Sequence, residues 1–241
     1  MSNEKQRILI IDDEKEIRDL INIYLKGEGF ETILAEDGEQ ALEILKNTRV
    51  DLMILDIMMP KIDGIEVCMK VREERNTPII MLSAKAEDMD KILGLTTGAD
   101  DYVTKPFNPL ELVARVKSQL RRYTSLNNAG MTVNKEESIS GKDVLIVDDL
   151  KINIENHQVF IGDMEKKLTP TEFEILALLA QNRGKVFSIQ NIYESVWNEE
   201  FMESDNTVMV HIRKIREKLE ANPRKPQYIK TVWGVGYKID K

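Results

Sequence analysis

Between residues 5 and 122 the sequence alternates five times between a short apolar run and an amphipathic helical pattern. Residues 8–11 are wholly apolar, and Ile17, Leu20, Ile21, Tyr24 and Leu25 then fall at helical spacing until Gly27 and Gly29 stop the pattern. Residues 32–35 read as a second strand, followed by a helix with Ala41, Leu42 and Leu45 on one face. The run 52–55 is a strand buried on both sides, and Pro60 and Gly64 break the chain before the next helix. Strand 79–82, a helix through Ile92 and Leu93, a short strand at Tyr102-Val103 and a helix opened by Asn108-Pro109-Leu110-Glu111 complete the series. Such alternation predicts an α/β domain: a five-stranded parallel, doubly wound sheet with right-handed crossovers.

In such a sheet, ligands collect at the carboxyl ends of the strands. Asp12 and Asp13 end the first strand, Asp56 the third and Ser83 the fourth, and Lys105 follows the fifth. A polar residue after one strand is ordinary; a turn Asp, a capping Ser and a loop Lys each have a bland explanation. Their repetition on four strands predicts one polar pocket. Three carboxylates brought close together repel and call for a hard divalent cation, with Mg²⁺ leaving room for a phosphoryl oxygen. A carboxylate beside that ion can attack phosphorus, while Lys105 and the Ser83 hydroxyl bind the added oxygens. Asp56 is the expected phosphoacceptor.

Composition narrows the class. One cysteine, Cys68, excludes a disulfide framework and suits a reducing cytoplasm, and its step with Ile65 and Val71 makes it a core thiol. No apolar run approaches the roughly 20 residues of a membrane span. The net charge of −8 hides an asymmetry: residues 1–122 hold 18 Lys and Arg against 24 Asp and Glu, whereas residues 206–241 hold 9 against 3. The overall charge argues against indiscriminate nucleic-acid binding, and a basic C-terminal end on an acidic protein needs its own explanation.

Residues 123–142 are polar, with two glycines and no apolar period, which predicts a flexible tether between residues 1–122 and 143–241. Val144-Leu-Ile-Val-Asp148-Asp149 then imitates Ile8-Leu-Ile-Ile-Asp12-Asp13. No second strand-then-Asp segment or Lys-Pro follows it, so Asp148-Asp149 is expected to be a turn. Short runs at 144–147, 151–154 and 157–161, with a stub near Lys167-Leu168, predict a small antiparallel sheet. Thr169-Pro170-Thr171-Glu172 is a capping box opening a helix, and Ser188 caps another through Ile192, Val196 and Trp197. Gly234 and Gly236 mark a closing hairpin.

A third helix is expected from about 206 to 220, burying Val208, Ile212, Ile215 and Leu219. At roughly 100° per residue the opposite face presents Asn206, Val210, Arg213, Lys214 and Glu217, with His211 and Arg216 on the flanks. Such a face is usually only solvated. An outward valine argues for more, since it can meet a thymine methyl while Arg213 pairs with guanine and Asn206 reads adenine or holds a phosphate.

The pieces ILIIDDE, DLMILDIMMPKIDG, MLSAK and GADDYVTKPF resemble the receiver domains of two-component response regulators. LTPTEFEILALLAQNRGKVFS, NTVMVHIRKIREKL and IKTVWGVGYKI resemble the winged-helix effectors of the OmpR/PhoB class, and the likeness extends to VanR-type regulators of glycopeptide-resistance genes. The resemblance implies phosphorylation of Asp56 by a sensor histidine kinase, with Mg²⁺ held by Asp13, Asp56 and the Met58 carbonyl and Asp12 assisting. It implies a switch in which Ser83 moves toward the phosphoryl group and Tyr102 turns inward. It further implies a homodimer that uses charges matching Lys91, Asp101, Glu111 and Arg115, promoter DNA bound in repeated half-sites, and contact with RNA polymerase. It also implies a recognition helix in the major groove and a wing near the minor groove, with Trp233 among the DNA contacts although it stands where some members carry a wing arginine. The expected protein is thus a transcription factor and not a turnover enzyme. The rival, an aspartyl-phosphate phosphatase, lacks its usual second acid because Met58 occupies that position.

Overall fold

The computed structural model describes residues 5–84, 98–129, 144–198 and 207–241. The chain divides into two compact units, Met1–Tyr123 and Thr124–Lys241.

In the first unit, strands β1 (Arg7–Ile11), β2 (Glu31–Ala35), β3 (Leu52–Asp56), β4 (Ile79–Ala84) and β5 (Asp101–Lys105) form one sheet in the order β2-β1-β3-β4-β5. Every pairing in it is parallel, as the alternation predicts. Helices α1 (Lys15–Gly27), α2 (Gly38–Asn47), α3 (Gly64–Glu74) and α4 (Pro109–Ala129) belong to this unit or begin in it. β3 is buried along its whole length, which is why its sequence is apolar without alternation. Ile8, Ile10, Ile54, Ile80 and Val103 pack from the sheet onto Leu25 of α1 and Leu112, Val116 and Leu120 of α4. Asp37 and Asp63 cap α2 and α3, accepting from Gln40 N–H and Glu66 N–H. The helix expected through Ile92 and Leu93 lies outside the described residues.

α4 carries a correction. Its helix continues to Ala129, so the first seven residues of the expected tether, 123–129, are helical. Residues 123–129 carry no Gly or Pro to stop a helix begun at Pro109. The remainder of the expected tether lies outside the described residues.

The second unit opens with an antiparallel sheet, β6 (Val144–Val147), β7 (Leu150–Asn153), β8 (Gln158–Ile161) and β9 (Met164–Glu165). The stub expected at Lys167-Leu168 is β9 instead, since Gly162, at φ +59°, turns the chain back within two residues. Helices α5 (Pro170–Gln181), α6 (Ile189–Trp197) and α7 (Thr207–Leu219) follow, then the hairpin β10 (Ile229–Val232) and β11 (Gly236–Ile239). The capping box forms as expected, with Thr169 accepting from Glu172 N–H and Glu172 from Thr169 N–H. Ile175, Leu176, Ile192, Trp197, Val208, Ile212 and Ile215 join in one core. Gly236 is required where it stands, because a Cβ there would lie 1.9 Å from the Phe187 carbonyl oxygen.

Asp148-Asp149 is a turn, with Asp148 at φ +54°. Asp149 accepts a 2.6 Å hydrogen bond from the Tyr228 hydroxyl, and Asp148 accepts one from Gln227. The look-alike pair pins the hairpin's entry to the sheet.

Candidate functional site

The parallel register brings the predicted residues to one edge of the first sheet. Ile11 pairs with Leu55, so Asp12 lies one step beyond β1 just where Asp56 ends β3. Asp56 pairs with Leu82, Ser83 with Thr104, and Ala84 with Lys105. Asp12, Asp56 and Ser83 are buried, while Asp13 is exposed at the mouth. Gly64 makes the close approach of α3 possible: a Cβ there would fall 2.1 Å from the Asp56 carbonyl oxygen.

Lys105 joins the pocket, its Nζ lying 2.8 Å from Asp12 Oδ2 and 3.2 Å from Asp56 Oδ2. Glu14, which the sequence reading passed over, also approaches Lys105 at 3.4 Å. Asp12 Oδ1 accepts from Glu14 N–H at 2.9 Å, and the Met58 N–H donates to the Asp56 carboxylate. The Lys105-Pro106 peptide is cis.

Burial pushes the Asp56 carboxyl up to about 6; the Lys105 charge opposes that shift and Asp12 adds to it. Asp12 is raised as well, chiefly by burial, against its hydrogen bond with Lys105. Burial alone would lower Lys105, but its bonds to Asp12 and Asp56 outweigh that and raise it. The pocket therefore holds more negative charge than one lysine neutralises.

The donor set suits a divalent cation. Asp12, Asp13 and Asp56 each offer an oxygen, and these lie within 4.8 Å of one another. Ligands at about 2.1 Å from a shared octahedral ion would be separated by about 3–4.2 Å, so small rotations suffice. Hard oxygen donors select a hard cation over a thiophilic metal.

The charges expected at a dimer face are engaged within the chain. Arg115 Nη1 reaches both Asp101 oxygens at 3.1 Å, and its Nη2 reaches Glu111 at 3.0 Å. Asp101 is buried, Arg115 is largely covered, and Glu111 is exposed. Tyr102 is half-buried on β5, and Lys91 lies outside the described residues.

In the second unit the predicted buried stripe of α7 is met in full at Val208, Ile212, Ile215 and Leu219. The opposite face differs from expectation. Val210 is 8% exposed, and His211 is buried with its ring 5.6 Å from Trp197. α7 packs against both α5 and α6, and neither Val210 nor His211 faces outward. The exposed line is Met209, Arg213 and Glu217, at i, i+4 and i+8. Arg213 and Lys214 pair with Glu217 at 2.8 and 3.5 Å.

Arg216 is also redirected. Its guanidinium donates to the Ile229 carbonyl at 2.7 Å and to the Thr231 hydroxyl at 2.8 Å, and lies over the Tyr237 ring. It fastens α7 to the hairpin and does not project outward. Trp233, at the hairpin tip, is 91% exposed. Asn206 lies outside the described residues. Met209 lies about a quarter-turn from the buried stripe, a flank position that helical period alone does not mark as exposed.

An acidic edge on a doubly wound sheet, together with three helices and a hairpin wing, defines a receiver joined to a winged-helix DNA-binding domain. Comparison with known proteins agrees. Residues 8–117 match the response regulator receiver domain family, and residues 163–239 match the family described as transcriptional regulatory protein, C terminal. The chain is 49% identical over 236 residues to the regulatory protein VanRc of Enterococcus gallinarum, covering 98% of this chain and 99% of that one. It is 47% identical to the regulatory protein VanR of Enterococcus faecium, with the same coverage. Among solved structures it resembles the response regulator DrrB of Thermotoga maritima, an OmpR/PhoB homologue, at 33% identity and a TM-score of 0.50, covering 98% of this chain and 100% of that one. The chain belongs to the two-component response regulators of the OmpR/PhoB class, which act in transcription regulation. Among the described residues no helix is long and apolar enough to cross a membrane.

Proposed function

We propose that this chain is switched by phosphorylation of Asp56 and then binds promoter DNA as a pair. The observation that carries this reading is the convergence of Asp12, Asp56 and Lys105 within hydrogen-bonding reach at one sheet edge, with Asp13 at its mouth. An Asp56 oxygen attacks the phosphorus of a phosphohistidine on a sensor kinase, the P–N bond breaks, and the leaving imidazole takes up a proton. Asp13, Asp56 and the Met58 carbonyl would hold Mg²⁺, with Asp12 helping to orient it; the ion would offset charge on the transferring oxygens. Lys105 then moves from a carboxylate pair to the acyl phosphate, and Ser83 donates its hydroxyl.

That shift in Lys105 and Ser83 supports a change passing along β4 and β5 to Tyr102 and the Asp101–Arg115–Glu111 network. Glu111, being exposed, is the member of that network free to meet a cation on a second copy, and Lys91 is the matching charge. Two tethered effectors would then engage half-sites together, gaining effective concentration. Arg213 and Lys214 of α7 are the proposed DNA contacts, Met209 joins them, and Asn206, the residue before α7 in the sequence, is proposed with them. Val210, His211 and Arg216 support that face from below. A cytoplasmic location and contact with RNA polymerase fit this role.

The test is DNA affinity for duplexes selected from a random pool, with and without acetyl phosphate and Mg²⁺, for the wild type and Asp56→Asn. The expected result is a gain of at least tenfold for the wild type alone. Equal affinity in every condition would remove the switch.

A further inference from the structure

Lys105 is held by one more carboxylate than the phosphoryl chemistry uses. Its Nζ lies 2.8 Å from Asp12 Oδ2 and 3.2 Å from Asp56 Oδ2, and Glu14 Oε1 stands 3.4 Å away. Asp12 and Asp56 are buried, whereas Glu14 reaches in from the mouth with 60% of its side chain exposed. Glu14 also occupies the N-cap position of α1, at φ −78° and ψ 110°, yet its side chain makes no capping hydrogen bond. Ser, Thr, Asp and Asn serve at that position because a short side chain turns back onto the first helical N–H groups. Here the longer carboxylate goes to Lys105 instead. The main chain of Glu14 is fixed on both sides: its N–H donates to Asp12 Oδ1 at 2.9 Å, and its carbonyl accepts from the Arg18 N–H at 3.1 Å. An anchored backbone thus carries an exposed carboxylate that rests on the pocket's lysine.

From this geometry we infer that Glu14 is a positioning residue for Lys105, a brake that the phosphoryl group must overcome to win the lysine. This rests on the reading that Asp56 is the phosphoacceptor. In the resting pocket three carboxylates share one ammonium group. Once Asp56 becomes an acyl phosphate, the negative charge moves to the added oxygens, and Lys105 has to turn toward them. Asp12 and Asp56 sit at the ends of β1 and β3, so the sheet sets their hold on Lys105. Glu14 is the member of the three whose side chain is mostly in water, so its hold can change without disturbing the acceptor or Asp13. A pair this exposed is worth up to about fivefold in an equilibrium. That is too little to decide whether Asp56 reacts, and enough to set how readily the phosphorylated state fills.

The experiment uses the full chain with Mg²⁺ and beryllofluoride, a stable stand-in for a phosphoryl group that bonds to a carboxylate oxygen, and follows binding by calorimetry. Glu14→Gln is expected to tighten beryllofluoride binding about threefold and to speed labelling by acetyl phosphate by a similar factor. Glu14→Asp keeps the charge but shortens its reach, and should behave as Glu14→Gln does. In a Lys105→Met background, Glu14→Gln should leave beryllofluoride affinity nearly unchanged, because the residue acts through the lysine. If Glu14→Asp matches the wild type, or if the Glu14→Gln effect persists undiminished without Lys105, the brake is overturned and Glu14 is only a repelling charge. An equal change in Mg²⁺ affinity, measured without beryllofluoride, would overturn it too by placing the action of Glu14 on the cation. If the wild type takes up neither beryllofluoride nor label, or Asp56→Asn takes up both as well as the wild type, the phosphoacceptor reading fails first and the brake with it.

Discussion

Ile8-Leu-Ile-Ile-Asp12-Asp13 and Val144-Leu-Ile-Val-Asp148-Asp149 are nearly the same six residues in two different surroundings. The first runs into a parallel sheet, so the ends of neighbouring strands deliver Asp56 and Lys105 beside it. The second runs into an antiparallel hairpin, whose tight turn spends both carboxylates on the surface, on Gln227 and Tyr228. A strand followed by two acids is therefore no motif by itself; the topology of the next strands decides whether it becomes a reactive pocket or a clasp. The contrast extends to energetics. Charges of the first unit's pocket are buried at a cost to the fold, whereas the candidate DNA contacts of the second are exposed.

The largest expected break in this comparison is chemical. Asp56→Asn should abolish labelling by acetyl phosphate, and Asp13→Asn should weaken Mg²⁺-dependent labelling by tenfold or more. Asp149→Asn should leave it unchanged. Phosphate-affinity gels separate the three, and labelling of Asp56→Asn at the wild-type level would place the acceptor elsewhere.

Stability should respond with opposite signs. Without a divalent cation, Asp56→Asn removes a desolvated charge repelled by Asp12, and should stabilise the first unit at pH 7 by on the order of 2 kcal/mol. Between the ordinary carboxylate range and about 6, folded Asp56 binds more protons than unfolded Asp56 does. Stability from this group is thus full below pH 4 and lost as pH rises to about 6, a decline that Asp56→Asn should abolish. Asp149→Ala should instead destabilise the second unit by about 1–2 kcal/mol, by orphaning the Tyr228 hydroxyl. Both tryptophans lie in the second unit, so fluorescence in urea follows that unit alone, while circular dichroism follows both.

How much was legible in sequence follows the same division. Apolar strands closing on polar residues reveal the pocket because the parallel sheet leaves one geometric option for Asp12, Asp56, Ser83 and Lys105. Helical period also located the buried stripe of α7. It misjudged Val210 and Arg216 because period gives the direction of each side chain but not how wide an arc the neighbours cover. Here Val210 is buried, His211 packs against Trp197 of α6, and a hairpin distant in sequence captures Arg216. Glu14 was missed because it falls in the turn after β1, where an acid is ordinary.

The finest test lies within α7, between arginines three residues apart. Arg216→Ala strands the Ile229 carbonyl and frees the hairpin, and should cost about 1–3 kcal/mol of stability. Arg213 makes one ion pair, with Glu217 at 2.8 Å, on an exposed surface, so Arg213→Ala should change stability by less than about 0.5 kcal/mol. Its effect should appear on DNA alone, as a loss of about 1–3 kcal/mol confined to one base position. A uniform loss across all duplexes would make Arg213 a phosphate contact, and a loss of stability comparable to that of Arg216→Ala would make it part of the scaffold. A residue idle in the fold and decisive on DNA is the reverse of Asp56, whose charge opposes the fold that positions it.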